Sequence, residues 1–393
     1  MLQEDAMAWV AGELAKLDRE GLRRKVKSRP TGAGRVPLGG GRALLNFSSN
    51  DYLALAHDPR VKARAAEAVE RSGCSASASR LMSGALAVHD ALEQALARLV
   101  GREAALLFGS GFAMSVGVMA ALAGRDDAIF ADRLVHASLV DGARLSGAAV
   151  KRFPHNDAGA LERLLRETAV RGRRLVVCES VYSMDGDQAP LEALGATSRA
   201  HGALFVVDEA HALGVFGGGG GLCRDLAAQV APDLVLGTLG KALGSFGGFA
   251  AGRADLRELL VNRARSFIFS TALPPSSAAA ALAAIEIVER EPELGPTLLA
   301  RAKTLQGLLR AEGVCVPEAT SQIIPIPVGD NRRALELAHR LEERDLLAVA
   351  IRPPTVPPGT ARLRLSVTLA HGPDELAQAA RAIALVAREL SLP

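Results

Sequence analysis

The sequence is poor in the features on which several classes of protein depend. Only 4% of its 393 residues are aromatic, too few to supply the stacked rings that bind single-stranded nucleic acids. No apolar run reaches the roughly 18 residues of a membrane-spanning helix, and the N-terminal stretch lacks the apolar core of a secretory signal. The 46 basic and 43 acidic residues are spread along the chain, so the net charge of +3 is a weak argument for nucleic acid. We therefore expect neither a nucleic-acid partner nor a membrane.

Cysteine is also scarce, and its placement excludes a zinc module. The four cysteines are Cys74, Cys178, Cys223 and Cys315. They form no CxxC pair, and no cluster of histidine and cysteine has the spacing of zinc ligands. The sequence predicts no metal site and is typical of a protein of the reducing cytoplasm.

Short apolar runs alternate with helical patterns through the middle of the chain. Asp58 and Pro59 are a predicted N-cap and first helical residue, with Gly73 after the end of that helix. A second helix is predicted from about Val88 to a stop at Gly101. Strands are predicted at 104–108, 128–131, 174–179, 204–208 and 234–237, and further helices at 158–170 and 190–201. This alternation predicts an α/β fold with a largely parallel sheet, in which ligands lie at the carboxyl ends of the strands.

The length of the chain predicts more than one domain, because one hydrophobic core rarely serves 393 residues. After Pro274 and Pro275 comes an alanine-rich helical stretch. From about Gly295 longer helices are separated by two or three strands, including 323–328 and 362–367. We predict an N-terminal arm or helix over 1–50, a large ligand-binding domain over 51–290 and a small α+β domain over 291–393.

Two segments contain the residues that predict a chemistry. In LFVVDEAHALGVFGGGGG an apolar strand ends at Asp208 and leads into a turn with His211. In DLVLGTLGKALGSFGGFAAG another strand is followed by Lys241 among glycines and small residues, which allow a flat ligand to approach the backbone closely. Either residue alone has an ordinary explanation, a polar strand end or a solvated lysine. Together they predict a shared site.

An aldehyde cofactor explains why a lysine and a carboxylate are both needed. The amine of Lys241 forms an imine with an aldehyde, which requires a lower pKa than the ordinary value of about 10.4. A buried carboxylate at Asp208 keeps a pyridine nitrogen protonated, so that the ring accepts electrons from the substrate.

A third segment, LLFGSGFAMSVGVMAAL, predicts a phosphate site. It is a strand followed by a glycine-rich turn that begins a helix. The backbone N–H groups near Gly111 and Phe112 can hold a phosphate with help from the helix dipole. Thr238, three residues before Lys241, is a further candidate donor. Such turns are common, so this segment is weak evidence by itself.

These motifs are joined by NFSSNDYLALAHDP near Asn46, DRLVHASLVDGARLS near His136, ESVYSMDGDQAPL near Ser183, and RPPTVPPGTARLRLS near Arg352. With them the sequence resembles the α-oxoamine synthases, fold-type I enzymes that depend on pyridoxal 5'-phosphate (PLP), from about Leu22 to the C-terminus. The resemblance implies that 51–290 is the PLP-binding domain. RSFIFSTALPPSSAAAALAAI and RPPTVPPGTARLRL are most similar to the members that condense L-alanine with a pimeloyl thioester of coenzyme A or acyl carrier protein in biotin biosynthesis.

The resemblance also implies a role for each matching residue. Lys241 would be the imine lysine, Asp208 the partner of the pyridine nitrogen and His136 the residue stacked on the ring, and these three are the implied catalytic residues. The other implied cofactor contacts are Ser183 and His211 at the phenolic oxygen, Gly111, Phe112 and Thr238 at the phosphate, and Ser270 and Thr271 reaching the partner's cofactor in a homodimer.

On the substrate side the resemblance implies His136, Asn50, Arg23, Arg352, Thr355 and Arg364. An arginine would clamp the amino-acid carboxylate through two hydrogen bonds, and we favour Arg364 over Arg352 for this role.

Simpler explanations exist for several of these residues. His136 is also placed to cap the helix that it precedes, and Ser183 to form a turn. Arg364 could occupy an exposed position on a strand, and Arg23 adjoins two further basic residues. The nearest alternative function is an α-oxoamine synthase that uses glycine or serine with another acyl thioester. A nucleic-acid motor is disfavoured, because DEAH at 208–211 has no GxxxxGK[ST] phosphate loop beside it.

Overall fold

The computed structural model describes residues 7–318 and 320–392, so the start of the predicted N-terminal arm, residues 1–6, lies outside the described residues. The chain divides into two compact units. The large unit is Asn50–Leu299, and the small unit combines the residues up to Ser49 with those from Ala300. The three-part prediction instead separated the first 50 residues and placed a boundary near 290, and the functional division into domains stays a prediction.

In chain order the strands are β1 (Arg35–Gly39), β2 (Arg42–Asn46), β3 (Ala104–Phe108), β4 (Ala128–Asp132), β5 (Ala149–Phe153), β6 (Arg174–Glu179), β7 (Leu204–Asp208), β8 (Leu234–Thr238), β9 (Gly248–Gly252), β10 (Ile323–Gly329), β11 (Leu346–Leu347), β12 (Val349–Ile351) and β13 (Ala361–Ser366). The α-helices are α1 (Ala8–Arg19), α2 (Pro59–Ser72), α3 (Ala87–Leu99), α4 (Gly111–Leu122), α5 (Ala137–Ser146), α6 (Ala158–Glu167), α7 (Leu191–Ala200), α8 (Ala254–Arg263), α9 (Arg265–Ile268), α10 (Pro275–Arg290), α11 (Leu294–Ala311), α12 (Asn331–Glu343) and α13 (Pro373–Glu389).

The large unit is built on one seven-stranded sheet with the order β3-β9-β8-β7-β6-β4-β5. All neighbouring pairs from β5 to β8 are parallel, and β9 runs antiparallel to both of its neighbours. The predicted α/β fold with a mostly parallel sheet is confirmed. β6, β7 and β8 are adjacent, with Glu179 opposite Asp208 and Asp208 opposite Leu236. The carboxyl ends of these three strands therefore meet at one edge.

Each face of this sheet is covered by its own apolar cluster. Val206 contributes to the cluster formed with α4 and α5, and its neighbour Val207 to the cluster formed with α6 and α7. This alternation follows from the two-residue period of a strand. Because both faces are buried, the strands are continuous apolar runs.

Helix α2 shows how the local sequence sets the predicted boundaries. The side chain of Asp58 accepts a hydrogen bond from the backbone N–H of Arg60, Pro59 is the first helical residue, and Gly73 follows with φ of 75°. All three features were predicted, because a capping side chain, a proline and a glycine each satisfy a specific need of a helix end.

The small unit is α+β, as predicted. It contains the antiparallel sheet β10-β13-β12 and the sheet β1-β2-β11. The second sheet joins the two ends of the chain, because β2 pairs in parallel with β11. The backbone N–H of Ser366 donates to the carbonyl of Phe47, and the ring of His371 stacks on Phe47 at 4.1 Å between centroids. The N-terminal segment is therefore part of the core of this unit.

Within residues 7–318 and 320–392, no helix has both the length and the apolar character that spanning a membrane requires.

Candidate active site

A cavity of about 190 Å³ opens in the large unit where β6, β7 and β8 end. Seven residues predicted from the sequence line it: Gly111, Phe112, His136, Asp208, His211, Thr238 and Lys241. The two residues on which the chemical prediction depends, Asp208 and Lys241, thus share one cavity.

Lys241 lies at one end of a chain of hydrogen bonds. Its Nζ is 2.8 Å from Nε2 of His211, and Nδ1 of His211 is 2.7 Å from the hydroxyl of Tyr52. The tyrosine hydroxyl donates to Oδ1 of Asn50 at 3.1 Å. Because the tyrosine proton is given to Asn50, Nδ1 of His211 carries the proton and Nε2 accepts from Lys241. The chain therefore fixes the orientation of His211 and favours one tautomer of its ring.

A short loop between β8 and β9 holds Lys241 in place. The backbone N–H of Leu239 donates to the carbonyl of Gly247 at 3.0 Å, and that of Ser245 donates to the carbonyl of Leu239 at 2.9 Å. These bonds close the loop at its base, as the antiparallel pairing of β8 and β9 requires.

Asp208 is buried at the end of β7, with 6% of its surface exposed. Burial raises the pKa of Asp208, and the positive charge of Lys241 opposes this rise. The backbone N–H of Ala210 donates to Oδ1 of Asp208 at 2.9 Å. A cation placed against this carboxylate would gain a low-dielectric ion pair.

His136 caps a helix and also lines the cavity. It is the N-cap of α5, where Nδ1 accepts a hydrogen bond from the backbone N–H of Ser138, and its side chain also lines the cavity. Burial lowers the pKa of His136, although the negative charge of Asp208 opposes this. A neutral ring at this position is suited to stack on a flat ligand.

The start of α4 forms an anion cradle beside Thr238. Ser110 caps the helix, its side chain accepting from the backbone N–H of Ala113 at 3.0 Å. The first N–H groups of a helix have no partner within it and point along its axis. A Cβ added at Gly111 would lie 3.4 Å from both Cβ and Oγ1 of Thr238. The glycine therefore keeps space between the helix start and the threonine hydroxyl.

Ser183 lies in a turn after β6, which is the simpler explanation that the sequence offered. The backbone N–H of Gly186 donates to the carbonyl of Tyr182 across this turn. The backbone N–H of Ser183 also donates a hydrogen bond to the carboxyl group of Glu179, a residue that lines the cavity. His155 anchors the same loop through Nε2, which is 2.8 Å from Oδ2 of Asp187.

Ser270 and Thr271 do not line this cavity. They line a separate recess in the large unit, together with Arg80, Phe108 and other residues. Their predicted contact with a partner chain stays a prediction.

The predicted substrate-side residues are divided between the units. Asn50 belongs to the large unit and, with Tyr52, to the hydrogen-bond chain of Lys241. The small unit contains the others, Arg23, Arg352, Thr355 and Arg364.

Within the small unit each of these four residues has an identifiable environment. Arg23 forms an exposed ion pair with Asp18 at 2.5 Å. The guanidinium of Arg352 donates to the carbonyl of Gly21.

Thr355 and Arg364 also form hydrogen bonds with residues of the small unit. Thr355 accepts a hydrogen bond from Arg24 at 3.5 Å. Arg364 is 7% exposed and donates to the hydroxyl of Ser366, so the exposed strand position considered for it is wrong.

Sequence reasoning missed Glu179 and Tyr52. Glu179 is an acid at the carboxyl end of a buried strand, and the rule that singled out Asp208 applies to it equally. Tyr52 lies in NDYL, where no local pattern distinguishes a buried hydrogen-bonding tyrosine from an ordinary core residue.

These residues fit PLP as a bound cofactor. A lysine amine, a buried carboxyl group, a histidine ring and a helix-start cradle face one cavity. They match the aldehyde, the pyridine nitrogen, the ring face and the phosphate of that molecule.

Comparison with known proteins agrees with this assignment. Residues 42–383 match the family model "Aminotransferase class I and II". The 8-amino-7-oxononanoate synthase of Anaeromyxobacter dehalogenans strain 2CP-1 is 50% identical over 386 residues, 98% of this chain and 97% of the relative. The synthase of the same name from Geobacter sulfurreducens is 47% identical over 388 residues, 98% of this chain and 99% of the relative.

Solved structures share the fold over almost the whole chain. A serine palmitoyltransferase variant from S. paucimobilis, solved with a bound PLP–myriocin aldimine, superposes with a TM-score of 0.92 at 29% identity, covering 99% of this chain and 100% of that one. The 8-amino-7-oxononanoate synthase of Francisella tularensis superposes with a TM-score of 0.75 at 26% identity, covering 89% of this chain and 99% of that one. The chain therefore belongs to the aminotransferase class I and II family, and within it to the α-oxoamine synthases.

Proposed function

We propose that the chain is a PLP-dependent acyltransferase that condenses L-alanine with a pimeloyl thioester. The products are 8-amino-7-oxononanoate, carbon dioxide and the free thiol carrier, as in the biotin-pathway enzyme whose name the relatives with 45–50% identity bear. The observation that supports this most directly is the single cavity that contains both Lys241 and Asp208.

Bound PLP would supply an electron sink for the carbanion at the alanine Cα. The residues of the chain hold and orient that group. Nζ of Lys241 would attach its aldehyde, Asp208 would pair with the pyridine nitrogen, and Gly111, Phe112 and Thr238 would hold the phosphate. His136 would cover one face of the ring, and Ser183 and His211 would bind the phenolic oxygen.

Lys241 is also placed to move the proton that the reaction requires. Once alanine occupies the cavity, the free amine of Lys241 would remove the Cα proton as general base. His211 lies 2.8 Å from Nζ and accepts a hydrogen bond from it, which holds the amine in one direction. The fixed position of the Lys241 amine therefore assists the proton transfer in addition to the basicity of the amine.

The substrate contacts are part of the same proposal. Arg364 would clamp the alanine carboxylate with two hydrogen bonds, and its buried side chain limits its rotamer freedom. Arg23, Asn50, Arg352 and Thr355 would contribute the remaining contacts on the substrate side, with His136.

The test is an assay of thiol and carbon dioxide release from a panel of amino acids and acyl thioesters. Alanine with pimeloyl thioester should give the highest kcat/KM, with pimeloyl-coenzyme A and pimeloyl-acyl carrier protein compared as separate arms. Borohydride should fix the yellow cofactor onto the peptide that contains Lys241, and Lys241→Ala should lose both this label and turnover. Faster turnover of serine with a long-chain acyl thioester would instead identify a serine palmitoyltransferase, the class of the structural neighbour with a TM-score of 0.92.

We also propose a homodimer in which Ser270 and Thr271 reach the phosphate of the partner's cofactor. Phe269 is 70% exposed and Met82 is 80% exposed, and the backbone N–H of Ala272 donates to the carbonyl of Ala78, which brings their two segments together. Such an exposed apolar patch is typical of a protein interface. Sedimentation should give twice the chain mass of 40.9 kDa, and paired substitution of Ser270 and Thr271 by alanine should weaken PLP binding.

The proposed compartment is the cytoplasm. Cys74, Cys178, Cys223 and Cys315 are all free thiols. Free thiols persist in reducing compartments, so this state supports the proposal.

A further inference from the structure

Glu179 is a second buried acid in the cavity, and the proposed reaction leaves it without a role. It ends β6 directly beside Asp208, which ends β7, and only 3% of its surface is exposed. Its Oε1 atom is buried and has no hydrogen-bond partner among the described residues. A buried polar atom without a partner is costly, so an unpaired oxygen in a residue that lines a ligand cavity indicates a bond that the ligand completes.

The charges around Glu179 disfavour a second ionised carboxyl group beside that of Asp208. Of the groups that act on it, Asp208 on β7 repels a negative charge, and Lys241 in the β8–β9 loop attracts one. His136 before α5 lines the same cavity, and burial lowers its pKa toward the neutral form. A charge on Glu179 would also act on Cys178 on β6 and on Tyr182 in the following loop. Burial raises the pKa of both groups, which keeps them neutral. One cation therefore faces two buried acids.

An unpaired carboxyl oxygen distinguishes Glu179 from Asp208. Both acids accept backbone hydrogen bonds, Asp208 from Ala210 and Glu179 from His136 and Ser183, but Oε1 of Glu179 accepts from no described group. A carboxylate needs donors at both oxygens, but a protonated carboxyl group can itself donate. The phosphate of a bound cofactor would add further negative charge to the same cavity, which favours a neutral Glu179.

We propose that Glu179 positions the cofactor as a neutral carboxylic acid that donates a hydrogen bond into the cavity, while Asp208 carries the negative charge. This inference rests on the proposed function, since the group that receives the hydrogen bond is PLP. The pKa agrees with it: burial, and secondly the charge of Asp208, raises the pKa of Glu179 to about 8. The acid is then protonated at neutral pH and ionises in mildly alkaline solution.

The test compares PLP dissociation constants of the wild type, Glu179→Gln and Glu179→Ala between pH 6.5 and 9.5, measured by the absorbance of the bound cofactor. Glutamine has the shape of glutamate and a permanent N–H donor, so at pH 6.5 its affinity should lie within about threefold of the wild type. Alanine should weaken binding about tenfold through the lost hydrogen bond. The exposed Glu162→Gln on α6 is the matched control and should follow the wild type throughout.

The pH dependence separates a neutral donor from a carboxylate. The ratio of the two dissociation constants, wild type against Glu179→Gln, cancels the pH effects that both proteins share. This ratio should be constant below about pH 7 and should rise up to tenfold per pH unit above about 8, where the wild type must bind a proton in order to bind PLP. A flat ratio, or a glutamine variant that binds more than about 30-fold weaker at pH 6.5, would overturn the proposal.

Infrared spectroscopy tests the same protonation without any cofactor. The carbonyl band of a protonated carboxylic acid should be present in the wild type at pH 6.5, weaken by pH 9.5 and be smaller in Glu179→Gln. If the glutamine substitution removed no such band at pH 6.5, the inference would be wrong even if PLP bound well. A wild type without the yellow chromophore would instead contradict the proposed function, and the infrared result would still decide the state of Glu179.

Discussion

The amine of Lys241 is oriented by a chain of three hydrogen-bonded residues. His211 accepts its hydrogen bond, Tyr52 fixes His211, and Asn50 takes the tyrosine proton. Tyr52 is fully buried, so water cannot replace its hydroxyl. Networks of this kind hold their members in one arrangement only while every partner is present.

Tyr52→Phe should therefore reduce turnover while leaving the cofactor bound. The substitution removes the partner of Nδ1 in His211 and leaves a buried donor unsatisfied, at a cost of about 1–3 kcal/mol. We expect kcat/KM for alanine and the thioester to fall about tenfold or more, with the chromophore on Lys241 retained. Equal kinetics in the two proteins would show that His211 does not depend on Tyr52.

His155 should make the free energy of unfolding decrease as the pH becomes alkaline. Burial alone would lower the pKa of His155, but hydrogen bonds to Asp132 and Asp187 outweigh burial and raise it to about 10. An unfolded histidine has a pKa of about 6.5. The stabilisation by the charged ring is therefore fully present below about pH 6.5 and is lost as the pH rises through about 10.

Denaturant unfolding of the wild type and His155→Gln over this range measures the effect. The difference in the free energy of unfolding should be largest near pH 6 and should shrink toward pH 10. A difference that stayed constant with pH would mean that the His155 charge contributes nothing.

At the scale of elements, the site is a property of strand ends. β6, β7 and β8 have apolar interiors and end in Glu179, Asp208 and Thr238, respectively. The sequence predicted β3, β6 and β7 with their bounds, because strands buried on both faces are largely uninterrupted apolar runs. It predicted Asp208 and Lys241 as site residues for the same reason, since each is close to a strand end.

Other elements were not predicted because their signals are not local. β9 has the sequence GFAAG, without β-branched residues, so it lacks the local signal of a strand. Helix α6 was predicted to extend to Val170 but ends at Glu167, because the hydroxyl of Thr168 donates to the carbonyl of Leu164. The divided small unit also escaped prediction, since β2 and β11 are far apart in sequence.

The close contact between β9 and the start of α4 predicts that a side chain at Gly248 would weaken cofactor binding. A Cβ at Gly248 would lie 2.7 Å from the carbonyl oxygen of Ser110 and 2.8 Å from Cα of Gly111. Gly248→Ala should therefore displace the start of α4, cost about 1–3 kcal/mol of stability and weaken PLP binding about tenfold. Equilibrium binding of PLP to the refolded protein measures this.

Gly252→Ala provides the matched control at the other end of β9. A Cβ there would lie 2.7 Å from the carbonyl oxygen of Asp233, away from the cradle. It should cost similar stability but leave PLP affinity within about threefold. If both variants lost the cofactor equally, general strain in β9 would explain the effect and the cradle would not.

At the scale of the whole molecule, the small unit is assembled from both ends of the chain. Phe47 is fully buried there, between the backbone of β13 and the ring of His371. The N-terminal residues are thus needed for folding, in addition to any role of Arg23 on the substrate side.

Phe47→Ala should destabilise the small unit by about 3–5 kcal/mol, as expected for truncating a buried aromatic side chain. Denaturant unfolding followed by circular dichroism measures this loss. Leu385→Ala on α13, where the side chain is 45% exposed, is the control and should change stability by about 0.5 kcal/mol or less. Equal effects of the two substitutions would show that the N-terminal segment contributes little to this core.

The pairing of Phe47 with Ser366 also sets an order of events during synthesis. About 320 residues separate the two partners, and ribosomes add about 5–20 residues per second. The first segment to leave the ribosome therefore waits roughly 16–64 s for its partner, while residues 50–299 emerge with every residue of the Lys241 cavity. Throughout that interval Leu44, Leu45 and Phe47 lack their native cover, and exposed apolar surface of this kind makes a nascent chain prone to aggregate.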